Sequence, residues 1–268
     1  RLPKDYLKKY IILNQYRTNL SQKMNLPAVE YSTINYYAMM YAKGDIDFQL
    51  LEKYLGRDNF DRTLQTFYKK YQFQHTSLND LKIHFAQNAS RETDWFFEEV
   101  LGKNALADIQ VKKVEQENGI LKITLNNRGN LKTATEVSLV DKDLNVLSSY
   151  LTDAFTGEKT IEIQDSVDAY AVLVDPQWLG MEQNRKNNFY KINGLHKVKP
   201  LQIRLFGAVE DPTKNQLFVS PVLGGNQYDG FMLGLSLYNR VFPVKKFEYE
   251  LQPIWGFKSK TFNWIGNV

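Results

Sequence analysis

Leu106-Ala-Asp-Ile-Gln-Val-Lys-Lys-Val-Glu-Gln-Glu-Asn-Gly-Ile-Leu-Lys-Ile-Thr-Leu125 is the stretch in which the chain changes its period. Before it, apolar residues recur about every 3.6 positions. Within it they recur at every second position, as in Ile109 and Val111 and then Leu121, Ile123 and Leu125. Side chains return to one face every 3.6 residues in a helix and every two in a strand, so the spacing predicts helices up to about residue 105 and strands after it.

Upstream, Phe48, Leu51 and Leu55 keep the helical spacing, followed by Phe60, Leu64, Phe67, Tyr68 and Tyr71. Gly56 is placed to stop one helix and Asp58 to cap the next, while Ser77 and Asp80 have the spacing of a capping box before Leu81-Lys-Ile-His-Phe85. At least four or five helices with short connections are expected. Downstream, Val137, Leu139 and Val146 continue the two-residue period, with final strands expected at 160–163 and 169–174. Turn signals at Glu117-Asn-Gly119, Asn127-Arg-Gly-Asn130, Asp141-Lys-Asp143 and Thr156-Gly157 divide this part as an antiparallel, immunoglobulin-like sandwich would require.

A polar run, Glu182-Gln-Asn-Arg-Lys-Asn-Asn188, followed by Lys197-Val-Lys-Pro200, marks a boundary. Beyond it, Gly230–Tyr238 and Lys246–Gln252 each set large apolar residues (Phe231, Leu233, Leu235, Leu237; Phe247, Tyr249, Leu251) against small or polar ones. That alternation fits a membrane-barrel strand, and it equally fits an ordinary amphipathic sheet. The fold expected is α+β and multidomain. Residues 1–105 would be helical, 106–195 a β-sandwich, and 196–268 antiparallel strands that could open an outer-membrane barrel-like region.

Composition narrows the chemistry. With 268 residues the chain can bury its cores without covalent staples, and the absence of cysteine excludes disulfides, thiolate metal ligands and cysteine nucleophiles. A net charge of +4, with Lys and Arg scattered among acids, gives no nucleic-acid footprint. No run approaches the roughly 20 apolar residues of a spanning helix. There is no Gly-x-Ser-x-Gly elbow and no phosphate loop. Leu223-Gly-Gly-Asn226 is expected to be a turn, and the adjacent Glu98 and Glu99 diverge on a helix instead of flanking one bond.

Four elements in order carry a likeness to a known family: Tyr41-Ala-Lys-Gly44 with the helix through Phe48 and Leu51 to Leu55-Gly56 and Phe60; Phe67-Tyr-Lys-Lys-Tyr71; Thr76-Ser-Leu-Asn-Asp-Leu81; and Asp94-Trp-Phe-Phe97. Over residues 28–101 the chain resembles the end of the catalytic domain of aminopeptidase-N-like zinc metallopeptidases, the gluzincin type. More softly, Asp175-Pro176 with Asn184-Arg-Lys-Asn-Asn188 resembles the end of the sandwich that follows it in some bacterial members. Tyr228–Gly234 and Phe257-Lys-Ser-Lys260 resemble barrel-like strands of envelope-associated members.

The resemblance implies that Tyr41 is the catalytic oxyanion donor, a neutral phenol aimed at the tetrahedral intermediate, with Lys43 and Gly44 setting local geometry. The competing reading is that Tyr41 merely packs a helix together with Tyr31, Tyr36 and Tyr37. Such enzymes also need His-Glu-x-x-His and a further Glu for zinc. Here the histidines are His75, His84 and His196, and no two are four apart. The chain is therefore expected to be the C-terminal portion of a zinc aminopeptidase, inactive alone, with no metal or cofactor of its own. Zinc would sit in an upstream catalytic region, with a peptide as substrate, and the location would be the bacterial cell envelope, periplasm or outer membrane. The alternative is a non-catalytic binding or scaffold module of that envelope.

Overall fold

The computed structural model describes residues 5–117, 119–164, 169–192, 199–207 and 209–268. Residues 5–13 and 21–192 form one compact unit, and residues 14–20 and 199–268 form a second. His196, and Lys197 and Val198 of the expected boundary, lie outside the described residues, as does Asn118 of the first turn.

The order of elements is helices and then strands, the α+β arrangement that the change of period predicts. The helices are α1 (Tyr6–Arg17), a single turn α2 (Thr33–Asn35), α3 (Gly44–Leu55), α4 (Arg57–Tyr71) and α5 (Leu78–Asn88). Two π-helices accompany them, Tyr36–Lys43 between α2 and α3, and Phe96–Val100 after α5. Gly56 separates α3 from α4 with φ of 77°, a conformation a side chain would strain. Asp58 does not cap α4. The preceding position is Gly56, no side-chain cap bond is made, and Asp58 sits in the first helical turn, where its charge meets the positive end of the helix. The capping box at α5 forms: Ser77 Oγ accepts from the Asp80 amide at 3.3 Å, and Asp80 Oδ2 accepts from the Ser77 amide at 2.8 Å.

The helical core is aromatic. Phe48 meets Phe96 edge-on at 5.2 Å, Tyr54 meets Trp95 at 5.2 Å, and Phe85 meets Phe97 at 5.7 Å. Leu50, Leu51 and Leu55 of α3 close over these rings, and Ala134 and Leu179 complete the cluster from the β region of the same unit. Lys43 is a cation buried in this unit. Its side chain is 1 % exposed, and Nζ donates to Asp47 Oδ2 at 2.5 Å and to the Val100 carbonyl at 3.0 Å, so one ammonium joins the two π-helices. Burial pushes the Asp47 carboxyl up to about 6, with Lys43 opposing the shift.

Among the described residues the sandwich has seven strands: β1 (Ile109–Glu117), β2 (Ile120–Asn127), β3 (Glu136–Val140), β4 (Val146–Leu151), β5 (Gly157–Gln164), β6 (Ala171–Val174) and β7 (Phe189–Lys191). They form sheets β1-β2-β5 and β4-β3-β6-β7, antiparallel at every pairing, in the immunoglobulin-like manner. Leu121, Ile123 and Leu125 from one sheet meet Val137, Leu139 and Val172 from the other in a closed core. Asn127 is a plug and not only a turn former: its amide donates to the carbonyls of Leu131 (2.9 Å) and Phe155 (3.0 Å), and its Oδ1 accepts from Gly129 N at 3.0 Å. A Cβ on Gly129 would lie 2.3 Å from the Leu106 carbonyl, so only glycine fits there. The polar run 182–188 is no linker. Glu182 and Asn188 are both 3 % exposed, and the run leads into β7, the last strand of the sandwich.

In the second unit β8 (Leu201–Leu205), β9 (Asn215–Asn226), β10 (Gly230–Tyr238), β11 (Glu250–Gly256) and β12 (Thr261–Asn267) make one sheet in the order β12-β11-β10-β9-β8. Four strands form an antiparallel meander, and β8 joins β9 in parallel. Leu223-Gly-Gly-Asn226 lies inside β9, paired through Leu223↔Leu233, so the expected turn there is strand instead. Lys246–Tyr249 precede β11, which starts at Glu250. Arg17 Nη1 bonds Glu210 Oε2 at 2.8 Å and the Val244 carbonyl at 3.2 Å within this unit.

The buried pair is directly testable. Lys43→Ala strands the Asp47 charge in the core and should cost about 3–5 kcal/mol, whereas Lys112→Ala, which breaks the exposed pair with Glu158, should cost about 1 kcal/mol or less. Urea unfolding of the two variants measures both; equal losses would mean the Lys43 pair does not organise the core.

Candidate functional site

Tyr41 stands on the π-helix Tyr36–Lys43, which grows out of a turn started by Ser32, whose Oγ accepts from the Asn35 amide at 3.4 Å. The helix type decides which rings meet. In an α-helix, residues five apart point about 140° from one another. The i→i+5 bonding of a π-helix brings them to one side. Accordingly the Tyr36 and Tyr41 hydroxyls are 3.5 Å apart, with their rings edge to face at 5.6 Å. Tyr37 stacks on Tyr41 at 6.0 Å, and Tyr31 meets Tyr36 at 6.4 Å.

Exposure separates the tyrosines. Tyr41 is 60 % and Tyr37 64 % exposed, beside exposed Val29, Ile34 and Met40, while Ala38, Met39 and Lys43 form the buried side of the same helix. Tyr41 is thus not a core residue of this unit. The hydrogen bond and charge of Tyr36 hold its phenol above the usual tyrosine range, so it stays protonated and able to donate. Lys43 sets local geometry through Asp47 and Val100. Gly44 does so less than expected: its φ is −54°, and a Cβ would find Met24 Cε at an ordinary 3.5 Å.

The described histidines come no closer to a metal site. His75 is exposed in the loop before α5. His84 is buried on α5, with Nε2 at 3.1 Å from the Thr63 carbonyl and 3.0 Å from Thr66 Oγ1, and its ring edge-on to Phe67. His196 lies outside the described residues. Among the described residues no three His, Cys, Asp or Glu side chains gather as a metal would need. Glu98 bonds Lys82 at 2.6 Å, while Glu99 bonds Lys103 at 2.6 Å and the Lys132 amide at 3.2 Å. The two carboxylates serve different partners. A depression of about 380 Å³ is lined by Lys8, Lys9, Asp45, Gln49 and Gln177, and Tyr41 is not part of it. There burial lowers Lys9 to about 8.

Two buried acids, Asp175 and Glu182, lie in a corner marked in the sequence mainly by a polar run. Asp175 and Arg185 form a satisfied centre. Asp175 accepts from the amides of Leu179 and Gly180, both at 2.8 Å, and from Arg185 Nη1 at 3.0 Å, while Arg185 lies over the Trp178 ring at 4.7 Å. These residues, which as a sequence could pass for turn formers, are an internal brace. Glu182 beside them is different. Neither of its carboxylate oxygens has a hydrogen-bond partner of good geometry, and the side-chain oxygens of Asn187 and Asn188 are likewise unpartnered. Burial, with Asp175 and Asp108 adding to it against Arg185 and Asn188, pushes Glu182 up to about 8.

A carboxyl raised in the folded chain above its ordinary 4.5 favours folding while protonated. Its contribution is therefore complete below pH 4.5 and is lost as pH rises through about 8. Glu182→Gln should remove this fall, which at full slope is about 1.4 kcal/mol per pH unit. Melting curves of both proteins from pH 4 to 9 are the measurement, and parallel pH profiles would contradict a protonated Glu182.

No family model matches the chain, and no curated protein matches it. Among solved structures, the aminopeptidase A of Legionella pneumophila, in complex with aspartic acid, is similar at a TM-score of 0.47 and 12 % identity. The match covers 57 % of this chain and 18 % of that enzyme, so the chain spans less than a fifth of its length. A likeness of this size does not assign a family.

Proposed function

We propose that this chain is the portion of an aminopeptidase-N-like zinc metallopeptidase that supplies the transition-state tyrosine, and that the zinc ligands of that enzyme lie outside it. The observation that supports this reading is the presentation of Tyr41: a protonated, exposed phenol on a π-helix, at the position that the Tyr41-Ala-Lys-Gly44 resemblance marks. An exposed hydroxyl held by one weak neighbour is free to donate to a substrate oxyanion. A packing tyrosine would be buried instead.

In this proposal the zinc of the whole enzyme would be held by residues outside this chain and would supply Lewis-acid chemistry at the scissile carbonyl of a peptide. Tyr41 donates its hydrogen bond as charge develops on that oxygen, Tyr36 and Tyr37 orient the ring, and the Lys43 anchor keeps the π-helix from relaxing. The envelope location, periplasm or outer membrane, belongs to the same proposal. So does the expectation that this chain alone is inactive.

Two outcomes are expected. The isolated chain should retain no stoichiometric zinc after dialysis and hydrolyse no amino-acid anilide, since its histidines are dispersed; bound zinc lost on replacing His75 and His84 together would refute this. In the enzyme carrying the zinc region, Tyr41→Phe should lower kcat and kcat/KM by similar factors of about 100-fold or more, with Tm unchanged. A large fall in Tm with activity per folded molecule preserved would make Tyr41 a packing residue.

A further inference from the structure

Lys9 ends its side chain inside the first unit instead of in water. Long cationic side chains ordinarily carry their heads out to solvent along an apolar stem. Here α1 turns Lys9, Tyr10, Ile12 and Leu13 inward, and Tyr10 meets Trp178 at 5.5 Å between ring centroids, which sets the helix against the turn at Asp175. Lys9 is 9 % exposed as a result. Its Nζ donates to the Gln177 carbonyl at 2.5 Å, and the same glutamine is held at its other end, where Oε1 accepts from Lys53 Nζ at 3.1 Å.

An ammonium has three donors, and a buried one needs a counter-charge. Lys43 shows how this unit supplies one, with the Asp47 carboxylate and the Val100 carbonyl. Lys9 has nothing of the kind. Among the described residues it makes no ion pair, and the carboxylates around it are engaged elsewhere. Asp45 accepts from Lys8 and from Gln49 Nε2 at 2.8 Å, Asp175 accepts from two amides and Arg185, and Asp5 is exposed. A neutral amine suits this place better. One N–H serves the Gln177 carbonyl, and the lone pair is left free. Burial is the main reason that Lys9 is lowered to about 8, with Asp175 and Asp5 opposing the shift and Arg185 and Lys8 adding to it.

The amine borders the depression of about 380 Å³, which is lined also by Lys8, Asp45, Ile46, Gln49 and Leu179. That volume is at the low end of those that hold a small organic ligand. The rim reaches water, since the side chains of Lys8 and Asp45 are 38 % and 46 % exposed. The geometry points to Lys9 as a nucleophilic amine that binds a small aldehyde in this depression covalently, as an imine. The nitrogen lone pair forms the C–N bond while the carbonyl π pair moves to oxygen, and a proton passes from nitrogen to that oxygen. Protonation of the resulting hydroxyl lets water leave as the C=N bond forms, and the proton then lost from nitrogen replaces the one consumed. Amine and aldehyde thus give imine and water, with no oxidant or reductant. Acyl transfer would instead need donors for an oxyanion, and the Lys8 ammonium and the Gln49 amide both already donate to Asp45. Nothing in this rests on the peptidase reading, so a Tyr41→Phe chain should behave like the wild type in the test that follows.

The test uses the 268-residue chain, a limiting amount of propanal as the probe, and cyanoborohydride to trap the imine as a secondary amine. At pH 8 about half of Lys9 is free amine, against about 0.3 % of a lysine at the ordinary 10.5. Lower basicity and burial offset part of that advantage, so Lys9 should be alkylated about tenfold faster than the exposed Lys112 and Lys113, read by peptide mass mapping after cleavage at acidic residues. The Lys9 rate should level off above about pH 8, while the rates of Lys112 and Lys113 still climb. Gln49→Trp, which fills the depression from α3, should slow Lys9 about tenfold and leave Lys112 unchanged. If that variant fails to fold, the wild-type ratio and pH profile decide. A Lys9 rate no greater than that of Lys112, or one that climbs with pH in parallel with it, overturns the inference. So does a folded Gln49→Trp chain whose Lys9 reacts as fast as before.

Discussion

An ammonium group removed from water must be neutralised where it lies, and Lys43 meets that demand with Asp47 four residues on and with the carbonyl of Val100. The rest of the candidate site follows from this arrangement. Because Lys43 closes one π-helix and Val100 closes the other, a single buried cation fixes the ends of both. The carbonyl it takes is one that a helix end leaves without an intrahelical partner. With the C-terminal end held, the preceding turn projects Tyr36, Tyr37 and Tyr41 outward as one aromatic group. A buried ion pair adds little net stability against an apolar pair of equal volume, so what it contributes here is definition of the geometry where the two π-helices end.

The corner of the sandwich shows the same physics with two outcomes. Asp175 and Glu182 are equally buried, yet Asp175 has two amides and a guanidinium as donors, while Glu182 has none of good geometry. An acid supplied with donors stays charged at low cost. One without them is driven toward its neutral form, and this is the basis on which Glu182 is expected to link folding to pH.

The two sheet systems place their apolar residues in opposite ways. In the sandwich Leu121, Ile123 and Leu125 face a second sheet and are wholly buried. In the sheet β8–β12 Phe231, Leu233 and Leu235 face outward, while Phe218, Ser236 and Ile254 on the other face are the covered ones. Both patterns have the same two-residue period, so a period alone cannot tell a core from an outer face. Which side is covered depends on whether another layer packs there.

Much of the fold was legible in the sequence because it depends on local signals. The change of period at residues 106–125 located the step from helix to strand, and Gly56 and the Ser77–Asp80 box act where their backbone and side-chain chemistry requires. The strand Gly230–Tyr238 also begins and ends where its alternation predicted. Leu223-Gly-Gly-Asn226 was misleading, because glycine pairs mark turns only where no neighbouring strand is available, and β10 is available. Tyr41 could be marked in the sequence only by the resemblance around it; its exposure and its meeting with Tyr36 depend on a π-helical register that Lys43 fixes through a partner 57 residues away. Glu182 lay beyond any local signal, because the missing donors around a carboxylate are a property of the packed corner. Short-range periodicity and capping were set by the chain's own order of residues; burial, pairing of charges and the outward turn of the last sheet were decided only when distant segments came together.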